Sequence, residues 1–314
     1  MTAIFSITFP IYAAVAIGYL IVWKGWFPRS AMQVMGKYVL NIAMPALLFN
    51  AVATRDIADV IQPGYMVVYL VGGLVTGAVA FAWFSVTASS KPRRAVAIMG
   101  STCPNSGFVG YPLMLLTFPD LAGVVLALNF LIENIVLIPI CLVLMDMANG
   151  PQEGSVIQKL GRIIWGVLTR PLVIGLLFGL AVSASGVPLP GPVDRLTAML
   201  GASASALALV VVGGSLVGLP MKGNRAFAAQ IAASKLFLHP AVMALVASIL
   251  IGVGLVSLPA DLHVAVILSA AMPMFGIYTV FAQEQGQEGV ASVAMLGATA
   301  FAFVTLTGLL VWLV

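Results

Sequence analysis

The chain has 314 residues, of which 61% are hydrophobic and only 8% charged, with a formal net charge of +4. A soluble domain carries about 25% charged residues, so this composition excludes a water-soluble enzyme and leaves no room for a sizeable soluble domain. The small positive excess is read as loop charge that obeys membrane topology, and no nucleic-acid partner is expected.

A helix needs about 20 apolar residues to cross a bilayer. The first such run covers 4–23 and ends at Lys24-Gly25-Trp26-Phe27-Pro28-Arg29. No basic n-region or small-residue cleavage site marks it as a cleavable signal peptide. The second covers 31–53 and contains Asn41 and Pro45; the third covers 63–88 and ends at Lys91-Pro92-Arg93-Arg94. The fourth, 95–118, carries Ser101-Thr102-Cys103-Pro104-Asn105-Ser106-Gly107-Phe108-Val109-Gly110-Tyr111-Pro112 in its middle. The fifth, 121–147, holds Asn129, Glu133, Asn134 and Pro139. A polar linker at 148–158 then separates a first half, 1–147, from a second, 159–314. The sixth to tenth spans are expected at 163–185, 196–219, 226–256, 262–283 and 290–314. Lys235, His239 and Pro240 fall in the eighth, and Pro273 and Gly276 in the ninth. The chain thus reads as an all-α membrane protein with about ten transmembrane helices, five in each half.

Basic residues set the orientation. The turns after spans one, three, five and seven hold Lys24, Arg29, Lys91, Arg93, Arg94, Lys159, Arg162, Lys222 and Arg225, whereas the opposite turns hold only Arg55 and Arg195. The positive-inside rule places the first set in the cytoplasm and both termini on the non-cytoplasmic side.

Proline removes a backbone donor and clashes with the preceding turn. Pro104, Pro112, Gly107 and Gly110 therefore make a continuous fourth helix an unfavourable reading. Freed backbone groups in lipid cost several kcal/mol unless protein or water satisfies them. The break is expected to line a cavity, as the broken helices of secondary transporters do. A shift of 169 residues lays Pro104 on Pro273 and Gly107 on Gly276. The same Pro-x-x-Gly pattern thus falls in the corresponding span of each half. Because five spans per half reverse the second half, this predicts a 5+5 inverted repeat with broken helices four and nine crossing at mid-membrane. Two proline kinks in otherwise continuous helices are the alternative. Helix N-termini present free amides suited to an anion, which makes Asn105, Ser106 and Gly107, and Met274 to Gly276, the candidate donors.

With these motifs in place, the chain resembles the auxin efflux carrier family, which includes plant auxin carriers and bacterial malonate and malate permeases. The resemblance covers nearly the whole chain. It rests on Pro10 with Gly18-Tyr19, Lys37-x-x-x-Asn41-x-x-x-Pro45-Ala46-Leu47-Leu48-Phe49, and Ser101-x-x-x-Asn105-Ser106-Gly107-Phe108-x-Gly110. Asn134-x-x-x-x-Pro139, Lys235-Leu236-x-x-x-Pro240 and Pro273 complete it. It implies crossed helices four and nine, a scaffold of spans one, two, six and seven, a transport domain made of the others, and an organic anion bound at the crossing. A homodimer in a bacterial inner membrane is also implied. The chain departs from the family at Met272-Pro273-Met274-Phe275, which is apolar where a second polar residue often stands. Polar contacts are then expected from span four, where Cys103 and Pro104 precede Asn105, and from Tyr278 and Thr279. The long cytoplasmic loop of the plant carriers is missing.

Ionisable residues inside a membrane are functional candidates by default. Lys235 either neutralises a substrate carboxylate or snorkels to the cytoplasmic surface. His239, one turn on, either takes up a proton or packs as a hydrogen-bonded neutral ring. A carboxylate buried at Glu133 is either a proton-coupling group or the structural partner of Lys235. Asn41 either lines the path or bonds a neighbouring helix. The 15 methionines read as packing filler, and the Ser203 to Ala206 run as a close-packing face at a helix or dimer contact. Cys103 and Cys141 lie in apolar spans and suggest no disulfide framework. No metal cluster, nucleophile with its base, or phosphate-binding loop is evident, so neither enzyme chemistry nor a bound cofactor is expected.

The favoured function is a secondary transporter for a small organic anion, malonate or a related dicarboxylate, working by alternating access with proton, sodium or no coupling. The alternatives are an exporter of monocarboxylates or auxin-like amphipathic acids, and a membrane sensor on the same scaffold.

Overall fold

A computed structural model describes residues 2–148, 161, 165–166, 168–219 and 224–313. The expected linker at 148–158 lies, apart from Ala148, outside the described residues, as do Lys159, Arg162 and Lys222. The described chain is helical. Its elements are α1 (Thr2–Trp23), α2 (Arg29–Tyr38), α3 (Met44–Ala53), α4 (Ile57–Val60), α5 (Pro63–Thr87), α6 (Lys91–Thr102), α7 (Tyr111–Thr117), α8 (Ala122–Ile132) and α9 (Ile138–Ala148). They continue with α10 (Pro171–Ser185), α11 (Gly191–Ser215), α12 (Arg225–Ala233), α13 (His239–Gly252), α14 (Ala260–Ala271), α15 (Tyr278–Glu284) and α16 (Glu288–Leu313). Among the described residues no strand forms, apart from one isolated bridge between Pro104 and Met274.

Seven helical stretches among the described residues are long and apolar enough to cross a membrane, fewer than the ten expected from apolar runs. The difference falls at three places, where the apolar helices are shorter: Ser106–Thr117, Pro171–Ser185 and Ala260–Ala271. Two of these result from helices that stop near prolines, at Thr102 and at Ala271. At the third, residues 162–164 and 167, ahead of Pro171, lie outside the described set.

Among the described residues, four turns of π-helix interrupt the helices at Val39–Ala43, Ser106–Gly110, Glu133–Leu137 and Ser234–Leu238. Each ends two residues before a proline: Pro45, Pro112, Pro139 and Pro240. A proline ring collides with the carbonyl four residues back. Widening the turn there moves that carbonyl aside, and such π turns often mark functional sites. Each of the four carries a polar residue: Asn41, Ser106, Glu133 with Asn134, and Ser234 with Lys235.

The chain forms two compact units from interleaved segments. The first contains Met1–Gln62, Gly107–Leu131 and Trp165–Gly218; the second contains Pro63–Ser106, Ile132–Ile164 and Leu219–Val314. In the first unit α1 lies directly on α11. A Cβ at Gly18 would fall on the Val210 carbonyl, and one at Gly213 on the Val15 carbonyl, so the two helices meet backbone to backbone. Such approach replaces the hydrophobic effect as the source of helix association in lipid. Ala204 and Ala208 bury the next turns of α11 beside Leu47 and Leu48, while Tyr38 Oη and Ser203 Oγ share a hydrogen bond of 3.2 Å. Overpacking typically costs about 1–3 kcal/mol, so Gly213→Ala is expected to lower thermal stability in detergent by that amount. Gly308→Ala, whose Cβ enters open space, should match the wild type. Equal stability of the two variants would contradict this packing.

In the second unit α5 is the central strut. Gly72 faces Met243 and Gly73 faces Leu137. Tyr65 and Tyr69, both fully buried, stack at 5.9 Å between ring centroids. Residues 95–102 of α6 are all buried.

Candidate functional site

The most unusual backbone in the second unit lies where α6 and α14 stop. The helix α6 begins at Ser90, whose side chain accepts from the Arg93 amide, and it ends at Cys103 in an extended conformation. Met272 is likewise extended after α14. Pro104 and Pro273 cannot donate, and each ring crowds the preceding turn, which favours ending both helices there. The two extended pieces instead pair with each other. The Asn105 amide donates to the Pro273 carbonyl at 2.8 Å, and the Phe275 amide donates to the Cys103 carbonyl at 3.3 Å. This satisfies groups that would otherwise be stranded in the membrane interior. It also corrects one expectation: the amides of Asn105 and Phe275, assigned from sequence to a ligand, are occupied by this pairing.

Around the paired segments lie buried polar side chains. Glu133, 3% exposed, stands on the π turn that precedes Pro139. Its Oε1 accepts from Tyr69 Oη at 2.6 Å and from Ser106 Oγ at 2.5 Å. A carboxylate buried in this way is stabilised by charge-assisted hydrogen bonds, which are stronger than neutral ones. Asn134 is also buried on the same π turn.

Lys235 is fully buried, so it does not snorkel. Its Nζ donates to the Ala270 carbonyl at 2.7 Å and lies 2.7 Å from His239 Nδ1. Ala270 belongs to the last turn of α14, where carbonyls lack partners within the helix and the dipole is negative. The ammonium therefore caps the helix end beside Pro273. With Lys235 protonated, His239 accepts at Nδ1 and carries its hydrogen on Nε2, a buried atom without a protein partner. Lys235 and Glu133 thus each satisfy separate partners, and neither is the other's hydrogen-bond partner. An ammonium has three donors, and these contacts account for two.

The remaining candidates divide between the units. Cys103, Pro104, Asn105 and Ser106 are buried in the second unit with Glu133, Lys235, His239 and Pro273. There too, Gly276 is exposed and faces open space. Tyr278 is buried, with its hydroxyl pressed against Gly100 and lacking a hydrogen-bond partner. Asn41 and Gly107 belong to the first unit, Asn41 exposed on its π turn and Gly107 buried beside Met44 and Phe130. Cys103 and Cys141 are free thiols 3.9 Å apart. No group of three His, Cys, Asp or Glu among the described residues could hold a metal ion.

Sequence reasoning missed Tyr69, the second donor to Glu133, and Ser269, which meets Tyr65 Oη at 3.1 Å. A signal for the tyrosines existed: Tyr65 and Tyr69 sit four residues apart, on one helix face, in a glycine-rich span.

The family model described as "Membrane transport protein" matches residues 3–310. A protein of Rhizobium meliloti (strain 1021) named "Putative malonate transporter" is 26% identical over 315 residues, covering 99% of this chain and 96% of that protein. "Uncharacterized transporter YfdV" of Escherichia coli (strain K12) is 27% identical over 247 residues, 76% of each chain. An "Uncharacterized transporter" of Methanothermobacter thermautotrophicus is 22% identical over 55% of this chain and 56% of its own length.

Proposed function

This chain belongs to the membrane transport protein family, the auxin efflux carrier family, and we propose that it is a secondary transporter for a small organic anion, malonate or a related dicarboxylate. The observation that carries the reading is the fully buried Lys235 side chain at the end of α14, beside the paired backbone of Cys103–Asn105 and Pro273–Phe275. A buried cation is costly in a membrane protein unless function or pairing retains it. Here one of its three donors is left for a carboxylate; Asn105 and Ser106 stand at and just after the paired segment of span four.

In this reading the extended segments are the crossing of broken helices four and nine in a 5+5 inverted repeat, with 1–147 and 159–314 as the two halves. Spans one, two, six and seven, which lie in the first unit together with Gly107–Leu131, act as the scaffold, and the other spans carry the substrate in alternating access. Asn41, Gly107, Gly276 and Tyr278 are the further residues proposed to contact substrate during transport. Glu133 and His239 are the coupling groups, with a proton or sodium as the driving ion. The protein works as a homodimer in a bacterial inner membrane with both termini on the non-cytoplasmic side. The name of the Rhizobium protein supports malonate as the first substrate to test. The apolar Met272-Pro273-Met274-Phe275 wall favours a second reading, an exporter of monocarboxylates or amphipathic acids. No comparable observation favours a sensor.

The test is uptake of labelled malonate into proteoliposomes, with and without proton and sodium gradients. Saturable uptake that other dicarboxylates compete away supports the reading. Absence of uptake, together with transport of an aromatic monocarboxylate, would transfer the assignment to the exporter.

A further inference from the structure

Two cavities of the second unit lie end to end along the furrow between α5 and α6. The deeper one, about 330 Å3, is lined by Gly73, Gly77 and Phe81 of α5 and by Ile98 and Thr102 of α6, with α9 closing its far side. The other, about 220 Å3, is lined by Ser85, by Ser89 and Ser90 in the turn, and by Lys91 and Arg94. Along α5 the positions 73, 77, 81 and 85 step by four, as do 102, 98 and 94 along α6, so each set follows one helix face. Arg94 joins the cavities. Its guanidinium carbon lies 4.6 Å from the Phe81 ring centroid, and its Nη1 donates to Ser85 Oγ at 3.1 Å.

The furrow is graded in chemistry. Its deep part is apolar: the Thr102 hydroxyl donates inward to the Ile98 carbonyl at 2.8 Å, while its methyl is the atom nearest to Gly77. At the other end stand two cations and three serine hydroxyls, and no acidic side chain lines either cavity. From Gly73 to Ser85 the helix rises about 18 Å at 1.5 Å per residue. That is close to the ~15 Å hydrocarbon depth of one leaflet. Phe81, 41% exposed, and Ile140, 42% exposed, leave the side of the furrow open.

We propose that this furrow binds an anionic phospholipid of the surrounding bilayer, with the phosphodiester at Lys91 and Arg94 and an acyl chain in the apolar cavity beneath. Basic pockets between membrane helices attract anionic headgroups, each basic residue adding about 1 kcal/mol near the surface. The acyl chain fills a groove that is open beside Gly77, where a side chain would meet nothing closer than Thr102 Cγ2 at 3.6 Å.

Native mass spectrometry of the full chain in mild detergent tests this, using phosphatidylglycerol and phosphatidylcholine with matched chains. Phosphatidylglycerol is expected to be retained at least about tenfold better, which corresponds to about 1.4 kcal/mol. The Lys91→Gln/Arg94→Gln variant should lose that preference. Gly77→Leu should lose phosphatidylglycerol retention while folding normally, since the nearest atom to a new Cβ is Thr102 Cγ2 at 3.6 Å. Glycerol 3-phosphate, a headgroup without chains, should fail to displace the lipid. Equal retention of the two lipids by the wild type overturns the proposal. Displacement by glycerol 3-phosphate does so too, since it marks a free-phosphate site. So does a Gly77→Leu variant that changes oligomeric state but keeps its lipid, since a second copy of the chain then occupies the furrow.

Discussion

Lys235→Met is expected to lower malonate uptake by at least about 100-fold at unchanged insertion. A hydrogen bond to a charged group contributes about 1.5–3 kcal/mol, and 1.4 kcal/mol corresponds to tenfold. The variant loses both the cation for the substrate and the cap on the Ala270 carbonyl. Lys235→Arg should not restore transport. Its planar fork is larger than an ammonium and arranges its donors differently, whereas the Lys235 pocket is closed by His239 and the end of α14 at 2.7 Å on each side. Leaving the Ala270 carbonyl without its donor also costs stability, about 1–3 kcal/mol for a stranded buried group. Uptake must therefore be normalised to folded protein, measured by size-exclusion chromatography of the detergent extract. If Lys235→Met, normalised in this way, transports malonate at the wild-type rate, the lysine is structural and the anion site lies elsewhere.

Glu133→Gln separates a proton carrier from a structural acceptor. The glutamine carbonyl accepts from Tyr69 and Ser106 as the carboxylate Oε1 does, so the fold should survive. The charge, and with it the capacity to load and release a proton, is gone. Uptake driven by a pH gradient is expected to fall at least about tenfold, while malonate exchange without a gradient stays within about twofold of wild type, these ratios reporting transition-state free-energy differences. Glu133→Leu is the contrasting variant. It strands the Tyr69 and Ser106 hydroxyls at about 1–3 kcal/mol each and should fail in both assays. Persistence of pH-driven uptake in Glu133→Gln would remove Glu133 as the proton carrier.

The sequence made some of this legible and hid the rest for physical reasons. Apolar runs locate the long helices because membrane spans need length and composition alone. Pro104 and Pro273 mark the ends of α6 and α14 because a missing amide acts locally. Which groups satisfy the freed backbone is a non-local matter, so the exchange of hydrogen bonds at Asn105 and Phe275 leaves no mark in the sequence. An apolar run around Lys235 leaves both burial and snorkelling open, and only its packing in the fold decides for burial. Its partner, Ala270, lies 35 residues away and carries no side-chain signal. The π turns left a trace in four prolines, but a proline alone permits a kink as readily as a widened turn. Tyr69 went unnoticed because a tyrosine in an apolar span looks like packing until a carboxylate is found beside its hydroxyl.

The central claim is that a buried cation beside two paired, extended segments receives an anion. Calorimetric titration of malonate into the purified protein tests it most directly, with Lys235→Met as the comparison. Saturable binding to the wild type that acetate does not match, and loss of at least about tenfold in affinity in a folded Lys235→Met variant, equivalent to about 1.4 kcal/mol, is the predicted result. Equal malonate affinity in the two proteins would contradict it.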